Sequence, residues 1–171
     1  VNMPVGIPLW MPALGGVFKT KSYKGAPKIK IAEGKTTIPG ATNVLRIVRS
    51  GRFEGDIIMP AAENVVADGR LQENIISFNI NSLNGKKADF AAGEEAYALL
   101  KPVMAEGRPV SAGAVRPLDD IRAAVRENLS RLDPAYKRLV NPHVYGVGLK
   151  QELYRRQQNM VAAYLAKRER G

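Results

Sequence analysis

The hydrophobic periodicity of this chain changes once, near residue 117, and that change limits what it can fold into. Upstream, apolar and polar residues alternate in short runs ended by glycine or proline, the pattern of half-buried strands. Residues 28–32 (KIKIA) put Ile29 and Ile31 on one face and Lys28 and Lys30 on the other. Residues 17–23 read as a strand before them, with a turn at Gly25-Ala26-Pro27. Further strands are expected at 36–38, 43–49, 56–59 (after a turn over 51–55) and 75–80. Residues 97–104 contain Pro102, so they read as an edge strand or extended segment. Downstream of Pro117, Ile121, Val125, Leu129 and Leu132 recur at helical spacing, with Asp119 and Asp120 at the helix start and Arg131 at its end. A second helix is expected over 149–167, with Leu149, Leu153, Met160, Tyr164 and Leu165 on one face. Strands first and helices last predict an α+β fold: a small, mostly antiparallel sheet of short strands followed by two or three C-terminal helices. Residues 1–14, spaced by Pro4, Pro8 and Pro12, read as an irregular lead-in, and 15–171 as a single domain.

Charge narrows the choice of partners. The net charge is +10. Eight basic residues and one acid lie in 1–50, four and eight in 51–100, and fourteen and seven in 101–171, so the excess sits at the two ends. Such a field favours polyanions such as nucleic acid, phosphorylated ligands or an acidic protein. The chain has no cysteine, which removes thiol nucleophiles, disulfides and thiolate metal sites. Prolines interrupt the apolar N-terminal stretch, so neither a membrane helix nor a signal peptide is expected there. The first residue is Val1, which predicts either a processed start or a piece of a longer protein.

Several apparent motifs lack the residues their chemistry needs. Gly34-Lys35-Thr36 resembles the end of a phosphate-binding P-loop, but the required upstream glycine is Ile29. Gly146-Val147-Gly148 would need a third glycine where Gln151 stands, and reads as a turn before a helix. His143 is the single histidine, with no nucleophile or orienting carboxylate near it in sequence, and reads as structural. The close acidic pairs, Glu54/Asp56 and Asp119/Asp120, have no third ligand, so no metal site is expected. The remaining candidates are cations: Lys19, Lys21, Lys24, Lys28, Lys30 and Lys35 near the N-terminus, and Arg155, Arg156, Lys167 and Arg168 on the last helix. They read as polyanion contacts, weighed evenly against a solvated sheet edge where lysine discourages aggregation. Tyr23 is the single aromatic among the lysines, which favours phosphate contact over base stacking.

Ordered segments carry a wider resemblance. Residues 13–19 (ALGGVFK), 28–40 (KIKIAEGKTTIPG), 51–58 (GRFEGDII), 100–104 (LKPVM) and 136–149 (YKRLVNPHVYGVGL) resemble successive stretches of the C-terminal portion of nicotinate phosphoribosyltransferases. The resemblance implies a type II phosphoribosyltransferase fold, with a smaller mixed domain beside an irregular α/β barrel. It implies coupling of nicotinate to phosphoribosyl pyrophosphate in the intact enzyme, with Mg²⁺ and ATP, and partnership with a catalytic barrel and a homodimer mate. It also implies that the phosphorylated histidine and most phosphate contacts lie upstream of the matched part. Val5-Gly6 would be a remnant of the family's phosphate loop, with Gly6 retained and Ile7 in place of threonine. Gly146 stands where the family often has proline, and Lys150 where it often has serine, which removes a helix cap. Two expectations follow. One is a non-catalytic, basic structural subunit without cofactors, recruited to an RNA-containing assembly such as an organellar ribosome, hence in the mitochondrial matrix. The other is a C-terminal fragment of an active nicotinate phosphoribosyltransferase of NAD biosynthesis, in the cytoplasm.

Overall fold

The computed structural model describes residues 20–32, 36–80, 87–102, 104–110 and 117–168. The chain divides into two compact units. The larger is built from Asn43–Met59 and Glu63–Gln151. The described part of the other consists of residues 20–32, 36–42, 60–62 and 152–168.

An eight-stranded sheet organises the larger unit. Its strands are β3 (Thr42–Arg49), β4 (Arg52–Pro60), β5 (Val66–Ala67), β6 (Arg70–Leu71), β7 (Ile75–Asn79), β8 (Lys87–Phe90), β9 (Glu95–Ala98) and β12 (Val147–Lys150). Their order across the sheet is β5-β6-β9-β3-β4-β12-β7-β8. Strand β4 shows why the pattern works: Phe53, Gly55, Ile57 and Met59 are buried, while the residues between them are not. With Leu45, Ile47, Leu71, Ile75, Phe90 and Ala96, Ile57 and Met59 form the core. Each fully buried aliphatic side chain there contributes roughly 1.5–3 kcal/mol. Strands β3 and β4 meet at Ser50-Gly51, whose φ angles of 49° and 74° fit a two-residue hairpin turn that matches strand twist.

The α+β class is as expected and the sheet is mostly antiparallel, but it is not small, and one pair of its strands is parallel. Strand β12 inserts between β4, to which it runs parallel, and β7, to which it is antiparallel. Gly146-Val147-Gly148 therefore enters a strand, not a turn before a helix. The expected turn over 51–55 is confined to Ser50-Gly51, and β4 begins at Arg52. Strand β9 is internal, between β6 and β3, because it ends before Pro102 and keeps its ladder donors. A small hairpin joins β10 (Met104–Ala105) to β11 (Arg108–Pro109).

In the other unit, β1 (Ser22–Tyr23) pairs with β2 (Ala26–Pro27). The turn falls on Lys24-Gly25, at φ 48° and 76°, one residue earlier than expected. Neither 28–32 nor 36–38 forms a ladder. Instead, Thr37 N–H donates to Lys30 O (3.0 Å), and Lys30 N–H donates to Thr37 Oγ1 (2.8 Å), so one threonine closes the loop.

Helix α1 (Leu118–Arg131) starts on Pro117 with Asp119 and Asp120 in its first turn. A 3₁₀ turn follows at Pro134–Lys137, capped by the Asp133 carboxylate, which accepts from Ala135 N–H at 2.8 Å. Helix α2 spans Gln151–Arg168, so residues 149 and 150 of the expected helix belong to β12. Lys150, read as the loss of a cap, instead donates to Glu63 (2.5 Å) and Glu73 (2.7 Å). Burial lowers its pKa, but the two carboxylates outweigh burial and hold it above the usual 10.5. That stabilisation is complete below pH 10.5 and is lost as pH rises through the higher folded value. The stability gap between wild type and Lys150→Met should therefore shrink above about pH 10.5 in chemical denaturation series.

Candidate functional site

The most ordered polar arrangement lies in the middle of the large sheet. Adjacent strands β3 and β4 place Arg46 and Asp56 side by side. Arg46 donates through Nε and Nη2 to the two Asp56 oxygens, both at 2.8 Å. Tyr145, entering β12, donates its hydroxyl to Asp56 Oδ1 at 3.0 Å. The guanidinium lies 4.4 Å from the Phe53 ring centre and 5.9 Å from that of Tyr145. The hydrogen bond to Asp56 outweighs burial and holds Arg46 further above its ordinary pKa. Burial, then the Asp56 charge, pushes the Tyr145 phenol up. Both Asp56 oxygens are engaged within the set, so the arrangement ties Tyr145 to the sheet. Tyr136 and His143 extend it as an edge-to-face aromatic pair at 6.3 Å, while His143 N–H donates to Ala135 O. His143 thus has a ring contact and a backbone hydrogen bond.

Beside this set lies a cleft of about 140 Å³, with Arg49, Glu54, Asp56, Ser77, Asn79 and Asp89 among its lining. It is too small for a nucleotide-sized ligand, since drug-sized sites take roughly 300 Å³ or more. Arg49 bridges Glu94 and Glu54 across its rim. Among the described residues, no group of three or more His, Cys, Asp or Glu side chains is placed to hold a metal ion. No helix among the described residues is long and apolar enough to cross a membrane.

The cations singled out in the sequence divide as follows. Gly6, Lys19 and Lys35 lie outside the described residues. Lys21 is half-buried and donates to Thr42 Oγ1 (2.6 Å), and burial holds it below its usual pKa. Lys24 sits 5.7 Å from the Tyr23 ring centre. Lys28 and Lys30 are both exposed, outside any strand. Arg155 and Arg156 line a shallow groove along α2 with Glu152, Asn159, Met160 and Ala163. Lys167 and Arg168 close the same helix. All eight described cations belong to the smaller unit, where Glu152 is the single described acid. Sequence reading misses the Arg46–Asp56–Tyr145 set. Its signal is an Arg and an Asp on adjacent predicted strands, but their pairing needs the register.

Comparisons with known proteins agree with this architecture. A family profile described as "Nicotinate phosphoribosyltransferase C-terminal domain" matches residues 42–157. The chain is 30% identical over 145 residues to nicotinate phosphoribosyltransferase of Rattus norvegicus and 27% identical to that of Bos taurus. Each match covers 83% of this chain and 26% of the relative, so the chain spans about a quarter of their length. The solved structure of human nicotinic acid phosphoribosyltransferase shares the fold, with TM-score 0.63 and 22% identity, over 86% of this chain and 27% of that one. The chain therefore belongs to the family of nicotinate phosphoribosyltransferase C-terminal domains.

Proposed function

We propose that this chain is the structural, non-catalytic C-terminal domain of a nicotinate phosphoribosyltransferase and works with a catalytic polypeptide of that enzyme. The profile match across the large sheet carries this reading. The Arg46–Asp56–Tyr145 set supports it, because its groups are engaged with one another in holding the sheet together. Coupling nicotinate to phosphoribosyl pyrophosphate, with Mg²⁺ and ATP, would fall to the catalytic polypeptide, in the cytoplasm. The test is nicotinate mononucleotide formation by the chain alone and by a chimera in which it replaces the matched quarter of the rat enzyme. Turnover is expected from the chimera and none from the chain alone. Turnover by the chain alone, or a folded but inactive chimera, would overturn the reading.

A second reading is favoured by the charge sorting: eight cations against one acid among the described residues of the smaller unit fit a subunit bound to a polyanion, such as an organellar RNA assembly in the mitochondrial matrix. Under it, the chain binds RNA with an affinity that falls steeply with salt, by roughly 0.7–0.9 log units per log unit of salt for each phosphate contact. Arg155→Glu with Arg156→Glu should flatten that slope. Equal, salt-insensitive binding by both proteins would exclude it.

A further inference from the structure

Helix α1 is amphipathic, yet none of its residues is buried. Leu118, Ile121, Val125 and Leu129 are 61%, 44%, 50% and 49% exposed. At 3.6 residues per turn they share an arc of about 80°. A helix of this length is marginal in water without a packed apolar face. Its C-terminal end is fixed: Arg131 donates to Gly51 O (3.1 Å) and stacks 4.9 Å from the Phe53 ring centre. Lys137 donates to Leu129 O (2.9 Å), tying the following segment to the same end. That segment exposes Leu139 fully and leaves Val140 and Val144 about three-quarters exposed. Exposed apolar surface gathered in this way marks an interaction site.

Charge indicates what covers it. Arg122 and Arg126 border the apolar arc on one side, and Ala124 and Asn128 on the other. Two copies packed antiparallel through this face would bring their arginine edges together, and like charges at such an edge oppose pairing. The fitting surface is apolar with an acidic rim on the arginine side. The relatives carry about three-quarters of their length outside the part this chain matches, while α1 lies inside the profile match.

We infer that the Leu118/Ile121/Val125/Leu129 face of α1 is the docking surface for the catalytic polypeptide of a nicotinate phosphoribosyltransferase. The inference rests on the first reading above, and the experiment separates the two. Amide hydrogen exchange of residues 118–131 is measured in the isolated chain and in the rat chimera. Exchange in α1 should slow by about tenfold or more in the chimera, because docking suppresses local opening. Ile121→Asp with Val125→Asp should abolish that protection and leave the thermal midpoint of the isolated chain unchanged. Unchanged exchange in the chimera overturns the docking surface, whatever the activity. A lowered midpoint of the isolated double variant also overturns it, since the face would then be internal to this chain. Concentration-dependent protection in the isolated chain, with dimers in sedimentation, would assign the face to a second copy and overturn it too. Slowed exchange in an inactive chimera would leave the docking surface standing and remove the catalytic reading.

Discussion

Asp56→Ala should lower the thermal midpoint by about 6–12 °C, the equivalent of about 3 kcal/mol for a chain of this size. The carboxylate accepts both arms of Arg46 and the Tyr145 hydroxyl, and the Arg46 and Asp56 side chains are only 20% and 12% exposed. Truncation leaves a guanidinium between Phe53 and Tyr145 with no counter-charge, and a phenol with no acceptor. The cost is that of two stranded polar groups, not the net worth of the ion pair. Arg46→Met with Asp56→Leu should therefore recover part of the loss, because the guanidinium is no longer stranded and only the Tyr145 hydroxyl is left without its acceptor. The Tyr145 phenol, raised above its ordinary 10.0 by burial and the Asp56 charge, adds a pH signature. Its contribution is complete below pH 10 and is lost as pH rises towards the folded value. Asp56→Asn should reduce that alkaline dependence while retaining part of the hydrogen bonding. Equal losses in the single and double variants would show that the pair itself, not the stranding of its partner, sets the cost.

Part of this molecule is legible from the local pattern of its residues. The apolar run of 56–59 and the spacing of Ile121, Val125 and Leu129 are properties of neighbouring residues; the helix forms where expected, and the strand forms but begins four residues earlier, at Arg52. Long-range pairing is not legible in the same way. The KIKIA run alternates as cleanly as β4, yet it joins no ladder, since Thr37 satisfies Lys30 with a backbone and a side-chain bond. The basic residues can be counted, but not their gathering into one unit, because α2 and the N-terminal lysines are more than 100 residues apart in sequence. Arg46 and Asp56 read as ordinary strand polars, since their partnership depends on β3 and β4 lying side by side in the sheet. The apolar stripe of α1 is helical as its spacing predicts, but its exposure runs against the simple expectation that an apolar stripe is covered by the chain's own core.

Strand β12 departs furthest from what its residues suggest, and Gly148 tests it. Two glycines in three residues look like a turn. In the sheet, Gly148 lies tight against β7: a Cβ there would collide with the Ser77 hydroxyl and stand 3.2 Å from Phe78 O and from Ser77 Cβ. Ser77 is itself buried, at 3% exposure, so it cannot swing into solvent. Gly148→Ala should cost about 2 kcal/mol by overpacking, and Gly148→Val more. Pairing Gly148→Ala with Ser77→Gly should restore part of the loss, since it removes both side-chain contacts and leaves the Phe78 carbonyl. Gly146→Ala is the control: its Cβ would meet nothing nearer than Glu54 O at 3.9 Å, so its effect should stay within about 0.5 kcal/mol. If Gly148→Ala and Gly146→Ala prove equally mild, β12 does not lie between β4 and β7 in solution. The parallel contact that makes this sheet mixed would then be lost. A large loss at 148, partial rescue through 77 and silence at 146 together would locate the need for glycine in strand packing and not in a turn.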